Sequence, residues 1–197
     1  MKILFLCFIS FVLQAQNSWY TEKGKVTIPF ELSNNLIILD MKINNTKFKM
    51  ILDSGAEKNM LFSFPEDEYF EVSNLRKIKL LGMGLGDTLQ AFVSTRNRAQ
   101  IKSIENPNFE ILLVTDNSIN IVNKLGIPVN GIIGTTFFKD FIVHIDYKRL
   151  KIHLYSKSIK KIIRKKSKYI ELPISLYDNI PYLTLEIQIE KETFPVK

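Results

Sequence analysis

The sequence predicts an all-β protein, and three observations carry that reading. Short runs rich in branched apolar residues recur along the chain. Asn-Asn pairs or glycines separate them, residues that tolerate the positive φ of tight turns. Helical periodicity is scarce.

The predicted strands come in order. Val26 to Phe30, Leu36 to Ile43 and Lys47 to Leu52 are separated by Asn34-Asn35 and Asn44-Asn45. Arg76 to Leu81 and Asp87 to Val93 flank Gly82-Met83-Gly84-Leu85-Gly86, whose three glycines make a pliant hairpin tip. Phe109 to Val114 follows. Phe141 to Asp146 and Leu150 to Tyr155 form a hairpin around Tyr147-Lys148-Arg149. Two short helices are expected: Ile119 to Lys124, stopped by Gly126 and Pro128, and one turn at Thr135 to Lys139.

The chain has 197 residues, enough for one packed domain and few for two complete ones. Its 27 basic and 20 acidic residues give a net charge of +7. Residues 157–168, KSIKKIIRKKSK, hold seven basic residues and no acid. With these and Lys2 set aside, 19 basic residues face 20 acidic ones. The body is near neutral and the segment 156–168 reads as a solvated basic linker. A surface tether to anionic lipid or nucleic acid is the other reading. No aromatic stacking pattern accompanies the charge, so no nucleic-acid partner is expected. Cys7 is the only cysteine, and His144 and His153 are the only histidines. A disulfide framework and a Cys- or His-rich metal site are therefore excluded.

Residues 1–16 have the shape of a secretory signal peptide. Met1-Lys2 is positive, Ile3 to Leu13 is apolar except for Ser10, and Gln14-Ala15-Gln16 turns polar and small. Cleavage is expected near Ala15 or Gln16, with export to the periplasm or beyond the cell and no stable membrane span afterwards. An uncleaved anchor is the alternative.

The chain also echoes itself. Residues 169–197 repeat the pattern of 25–51: a strand with a proline, an Asn/Asp turn, then two strands. Pro29 matches Pro173 at an offset of 144, while Ile43 matches Ile189 and Phe48 matches Phe194 at 146. A two-residue change in the intervening turn is the expected cause of the shift.

Chemistry converges on Asp53. Met50-Ile51-Leu52 deliver Asp53-Ser54-Gly55 at a strand end, where the carboxylate is exposed and Gly55 leaves its N–H free to bond it. Such a carboxylate activates water well when a second one shares its proton. Asp-Ser-Gly is also an ordinary turn.

Leu52-Asp53-Ser54-Gly55-Ala56 resembles the catalytic D-[ST]-G-A of retropepsin-like aspartic proteases. Asn130-Gly131-Ile132-Ile133-Gly134 resembles their apolar-apolar-Gly motif. The glycine-rich hairpin at 82–86 lies where that family's substrate-covering flap falls. Phe137 to Phe141 with His144-Ile145-Asp146-Tyr147 resembles the closing helix and hairpin of secreted bacterial members. The resemblance implies an acid-protease-like β-barrel lobe over 25–155 and the start of a second lobe, cut short, over 169–197. It implies that Asp53 is the catalytic acid/base, that the Ser54 hydroxyl links two halves beneath the site, and that Gly55 donates to the carboxylate. Gly82, Met83, Gly84, Leu85 and Gly86 would cover an extended peptide or protein substrate. Ile132, Ile133 and Gly134 would support the catalytic loop. No metal or cofactor is implied. The departure is the second aspartate: its equivalent falls at position 199, past Lys197, so a second lobe or a second subunit would supply it. The competing reading is a non-catalytic peptide-binding module with the same fold. A Ser-His-Asp site using His144 and Asp146 lacks the G-x-S-x-G elbow.

The leader reading has a direct test. Exported protein should begin near Gln16 or Asn17 by N-terminal sequencing; an intact Met1 on cytoplasmic protein would remove it.

Overall fold

The computed structural model describes residues 17–64, 70–81, 88–115, 126–157, 170–189 and 192–196. Residues 1–16, expected as a signal peptide, the glycine-rich segment 82–86, the expected helix at 119–124 and residues 158–168 of the expected linker lie outside them.

The architecture is all-β. The strands are β1 (Lys25–Pro29), β2 (Glu31–Ser33), β3 (Leu36–Ile43), β4 (Thr46–Leu52), β5 (Met60–Leu61), β6 (Arg76–Leu81), β7 (Thr88–Ile101), β8 (Ile104–Val114), β9 (Gly131–Ile133), β10 (Phe141–Asp146) and β11 (Lys151–Ser156). One four-residue helix, α1 (Thr136–Lys139), follows β9. Six strands close into a barrel in the order β3-β4-β9-β5-β8-β7, and β7 returns to β3 through Lys42↔Gln100 and Ile43↔Ala99. Two of the pairings, β4–β9 and β5–β8, are parallel. A second sheet, β1-β11-β10, carries Ile152 and Leu154 into the same core.

Alternation explains β3 and β4. Leu39, Met41 and Ile43 are buried while Asp40 and Lys42 are exposed, the period-two pattern of a strand with one wet face. Towards the other end the outer face is dry as well: Ile38 and Ile51 pack under Ile127 and Val129. The Asn-Asn turns behave as expected, with φ of 49° and 61° at Asn34 and Asn35 and 47° and 74° at Asn44 and Asn45.

β7 corrects the sequence reading. It was expected to end at Val93 and runs on to Ile101, and β8 begins at Ile104 rather than Phe109. Two polar residues, Ser94 and Asn97, lie in the added stretch. They are buried, and Asn97 Nδ2 donates to Ser94 Oγ (2.8 Å) and to the Phe109 carbonyl (3.1 Å). Register shifts on both sides of Asn97 mark bulges that bend the ribbon into the barrel wall.

The echo is visible in the ladders. β12 (Ile174–Tyr177) pairs with β13 (Ile180–Leu183), and β14 (Leu185–Ile189) pairs with β15 (Glu192–Val196). Tyr177↔Ile180 reproduces Ser33↔Leu36 at an offset of 144, and Asp178 and Asn179 have φ of 50° and 64°, like Asn34 and Asn35. Ile187↔Phe194 reproduces Met41↔Phe48 at 146. The two extra residues therefore do not lie in the turn. They lie at Leu183-Thr184, where the strand equivalent to the continuous β3 breaks in two. Residues 170–173, expected as a strand, have no ladder partner among the described residues. Among the described residues no helix is long and apolar enough to cross a membrane.

Trp19 acts as a core residue, which its isolation in sequence concealed. It is buried, edge-on to Phe109 (5.6 Å) and Phe137 (6.1 Å). Its backbone N–H donates to Asp140 Oδ2 at 2.7 Å, and Tyr20 exchanges two backbone hydrogen bonds with Glu105. Trp19 Nε1 is buried without a partner among the described residues. Trp19→Ala should cost about 3–5 kcal/mol in urea unfolding. Trp19→Phe should cost less, because it keeps an edge-to-face ring and removes the unbonded N–H.

Candidate active site

Asp53 is the first residue beyond β4. Its own N–H donates to the Ile133 carbonyl at 3.0 Å, which continues the parallel β4–β9 ladder by one step. The chain then turns, and the Gly55 N–H donates to Asp53 Oδ1 at 2.7 Å. A Cβ at Gly55 would lie 3.2 Å from that same oxygen, so glycine lets the donor come close. Asp53, Ser54 and Gly55 are all exposed. The expected carboxylate-to-glycine bond is thus present, and the carboxylate stands at the barrel surface.

β9 braces this turn. Ile133 is fully buried and Ile132 half-buried. At Gly134 a Cβ would fall 2.4 Å from the Ala56 carbonyl oxygen, and at Gly131 one would fall 2.0 Å from that of Met60. Neither position accepts a side chain without moving backbone. The Thr135 N–H donates to the Ala56 carbonyl at 2.9 Å, tying the residue after Gly134 to the residue after Gly55.

Two asparagines complete the brace: Asn59, which the sequence reading did not name, and Asn130, which it named only as the first residue of the second motif. Asn59 is buried. Its Oδ1 accepts the Gly134 N–H (3.0 Å) and the Thr136 hydroxyl (3.2 Å), and its Nδ2 donates to the Glu110 carbonyl (2.9 Å). Asn130 pins the other end of β9: its Oδ1 accepts the Lys49 N–H and its own N–H donates to the Lys49 carbonyl, both at 2.8 Å. The one local signal was position, since each asparagine lies beside an element of the two motifs.

Residues 82–86 lie outside the described residues, but the strands beside them are paired through Leu81↔Thr88, so the segment joins two paired strands. A groove of about 700 Å³ lies elsewhere, over the outer face of β3 and β4 beside Lys42, Lys47 and Lys102. Asp53 does not line it.

His144 and Asp146 do not form a catalytic pair. Arg149 holds Asp146 through its guanidinium (2.9 Å) and its backbone N–H (3.0 Å), and these bonds lower the carboxyl pKa below its usual range.

No family model matches the sequence. No curated protein matches it either. Among solved structures the chain is similar to the crystal structure of a retropepsin-like aspartic protease from Rickettsia conorii. The TM-score is 0.44 and the identity 17%, over 72% of this chain and 97% of that one.

The brace predicts its own sensitivity. Asn59→Ala removes the partners of the buried Gly134 N–H and the Glu110 carbonyl, at about 1–3 kcal/mol for each group left unbonded. Urea unfolding should show the loss, and amide exchange at Gly134 should accelerate more than at Ile152.

Proposed function

We propose that this chain supplies one catalytic half of an aspartic-type endopeptidase. The observation that carries the reading is the placement of Asp53: an exposed carboxylate at the end of a buried strand, bonded by Gly55 and backed by a strand whose two glycines permit the contact.

The chemistry needs a second carboxylate. Two carboxyl groups about 3 Å apart cannot both ionise, so they share one proton. The ionised one takes a proton from water as that water attacks the peptide carbonyl, and the protonated one donates to the carbonyl oxygen. This chain offers Asp53 for one role, and a second lobe or a second subunit supplies the partner. The substrate is an extended peptide, bound partly by strand-like hydrogen bonds beneath residues 82–86. The Ser54 hydroxyl, exposed beside Asp53, suits a bond to the opposite half. The mechanism requires no metal or cofactor. In the proposed setting the leader is removed and the protein works outside the cytoplasm.

A second reading, a peptide-binding module without hydrolysis, is favoured by the single Asp-Ser-Gly in the sequence. One experiment separates the two. Purified protein is incubated with a quenched fluorescent peptide library over a range of concentrations, beside Asp53→Asn. A site built from two chains should gain activity per chain as concentration rises. Asp53→Asn should lower the rate at least about 100-fold, the scale of a lost general acid or base. Peptide capture without cleavage supports the module, and hydrolysis indifferent to Asp53→Asn would falsify the aspartic-type assignment.

A further inference from the structure

The two histidines of the chain, 9 residues apart in sequence, meet across one hairpin. His144 on β10 stands directly opposite His153 on β11, and their ring centroids are 5.4 Å apart. Both are half-buried on the outer face of the β1-β11-β10 sheet, so the pair is open to solvent. From the geometry we infer that this pair binds a divalent transition metal through two imidazole nitrogens.

The spacing can be checked against coordination chemistry. A zinc–imidazole bond is about 2.0–2.1 Å, which puts the metal about 3.2 Å from each ring centroid. Two such radii with centroids 5.4 Å apart enclose an angle of about 115° at the metal, near the tetrahedral value of about 109°. The rings are tilted by 43° rather than stacked.

The third strand sets the orientation of one ring. Thr27 on β1 is opposite His153, and its Oγ1 lies 2.9 Å from His153 Nδ1. That contact engages Nδ1 with β1. An Nδ1–H donated to the threonine oxygen keeps the Nε2 lone pair free for a metal, the usual second-partner arrangement of a ligating histidine.

The neighbouring charges are mixed. Asp146 is two residues from His144 on the same face and is held by Arg149. Lys151 is opposite Asp146, and Lys25 lies over the Tyr155 ring at 5.2 Å. Among the described residues no group of three or more His, Cys, Asp and Glu gathers as a cage, so the pair is a two-point chelate with open positions. Imidazole donors select Zn²⁺, Cu²⁺ or Ni²⁺ over Mg²⁺ and Ca²⁺. The inference is independent of the Asp53 reading, because the hairpin contributes nothing to that turn.

Having only two histidines makes the test specific. Untagged full-length protein at pH 7.5 is titrated with ZnCl₂ while the two histidine ring signals are followed by NMR. Both should move together along one binding curve, and MgCl₂ should move neither. His144→Gln, on an accessible face, should weaken zinc binding at least 10-fold, and Thr27→Val should weaken it several-fold. For any variant that loses its fold by circular dichroism, His153→Asn provides the second measurement. Signals that do not move, that move independently, or that titrate unchanged in both histidine variants overturn the inference.

Discussion

Everything near Asp53 depends on two backbones passing closer than side chains allow. β9 enters between β4 and β5, parallel to one and antiparallel to the other. The entry is feasible because Gly131 and Gly134 present no Cβ to the carbonyls of Met60 and Ala56. Closing the barrel and backing the carboxylate are thus one event. The strand that completes the ring supplies the Ile133 carbonyl that fixes Asp53, and Gly134 just beyond it supplies the N–H that engages Asn59. Buried polar groups at such a crossing are costly unless every one is bonded, and here asparagine side chains bond groups that a sheet ladder cannot reach.

The strand and turn chemistry was readable because it is local. Asn-Asn turns, the alternation in β3 and the Asp-Ser-Gly turn each depend on residues within a few positions. What escaped depends on distant partners. Ser94 and Asn97 are polar by composition and buried by structure, because each satisfies the other within a bulge. β5 is two residues long and exists only because β8 and β9 lie on its two sides. Asn59 looks like any surface asparagine until Gly134 and Glu110 are placed against it. Trp19 had no periodic neighbours to announce it, since its neighbours are Phe109 and Phe137. The carboxylate's place was legible, and the apparatus that holds it was not.

The repeat has a physical content beyond sequence likeness. Two hairpins of residues 174–196 reproduce the cross-strand partners of β2, β3 and β4, including the left-handed turn pair. Their surroundings differ. In the barrel, Phe30 and Leu39 are buried, whereas their equivalents Ile174 and Leu185 are 61% and 45% exposed. Strand pairing and turn geometry are therefore encoded within each hairpin, while burial comes from the rest of a barrel. The same pattern has a filled core in one place and bare apolar side chains in the other.

The bond from the Trp19 N–H to Asp140 joins residues 121 positions apart. Synthesis proceeds from the N-terminus, so one end of this clasp is made early and waits for most of the barrel to follow. Until Phe137 and Asp140 emerge, the indole has no complete seat and the barrel end beside Phe109 stays open. Closing so long a loop is slow compared with forming a hairpin. The nascent chain therefore holds separate hairpins before it holds a barrel, and the clasp closes only once Phe137 and Asp140 have emerged to meet Trp19.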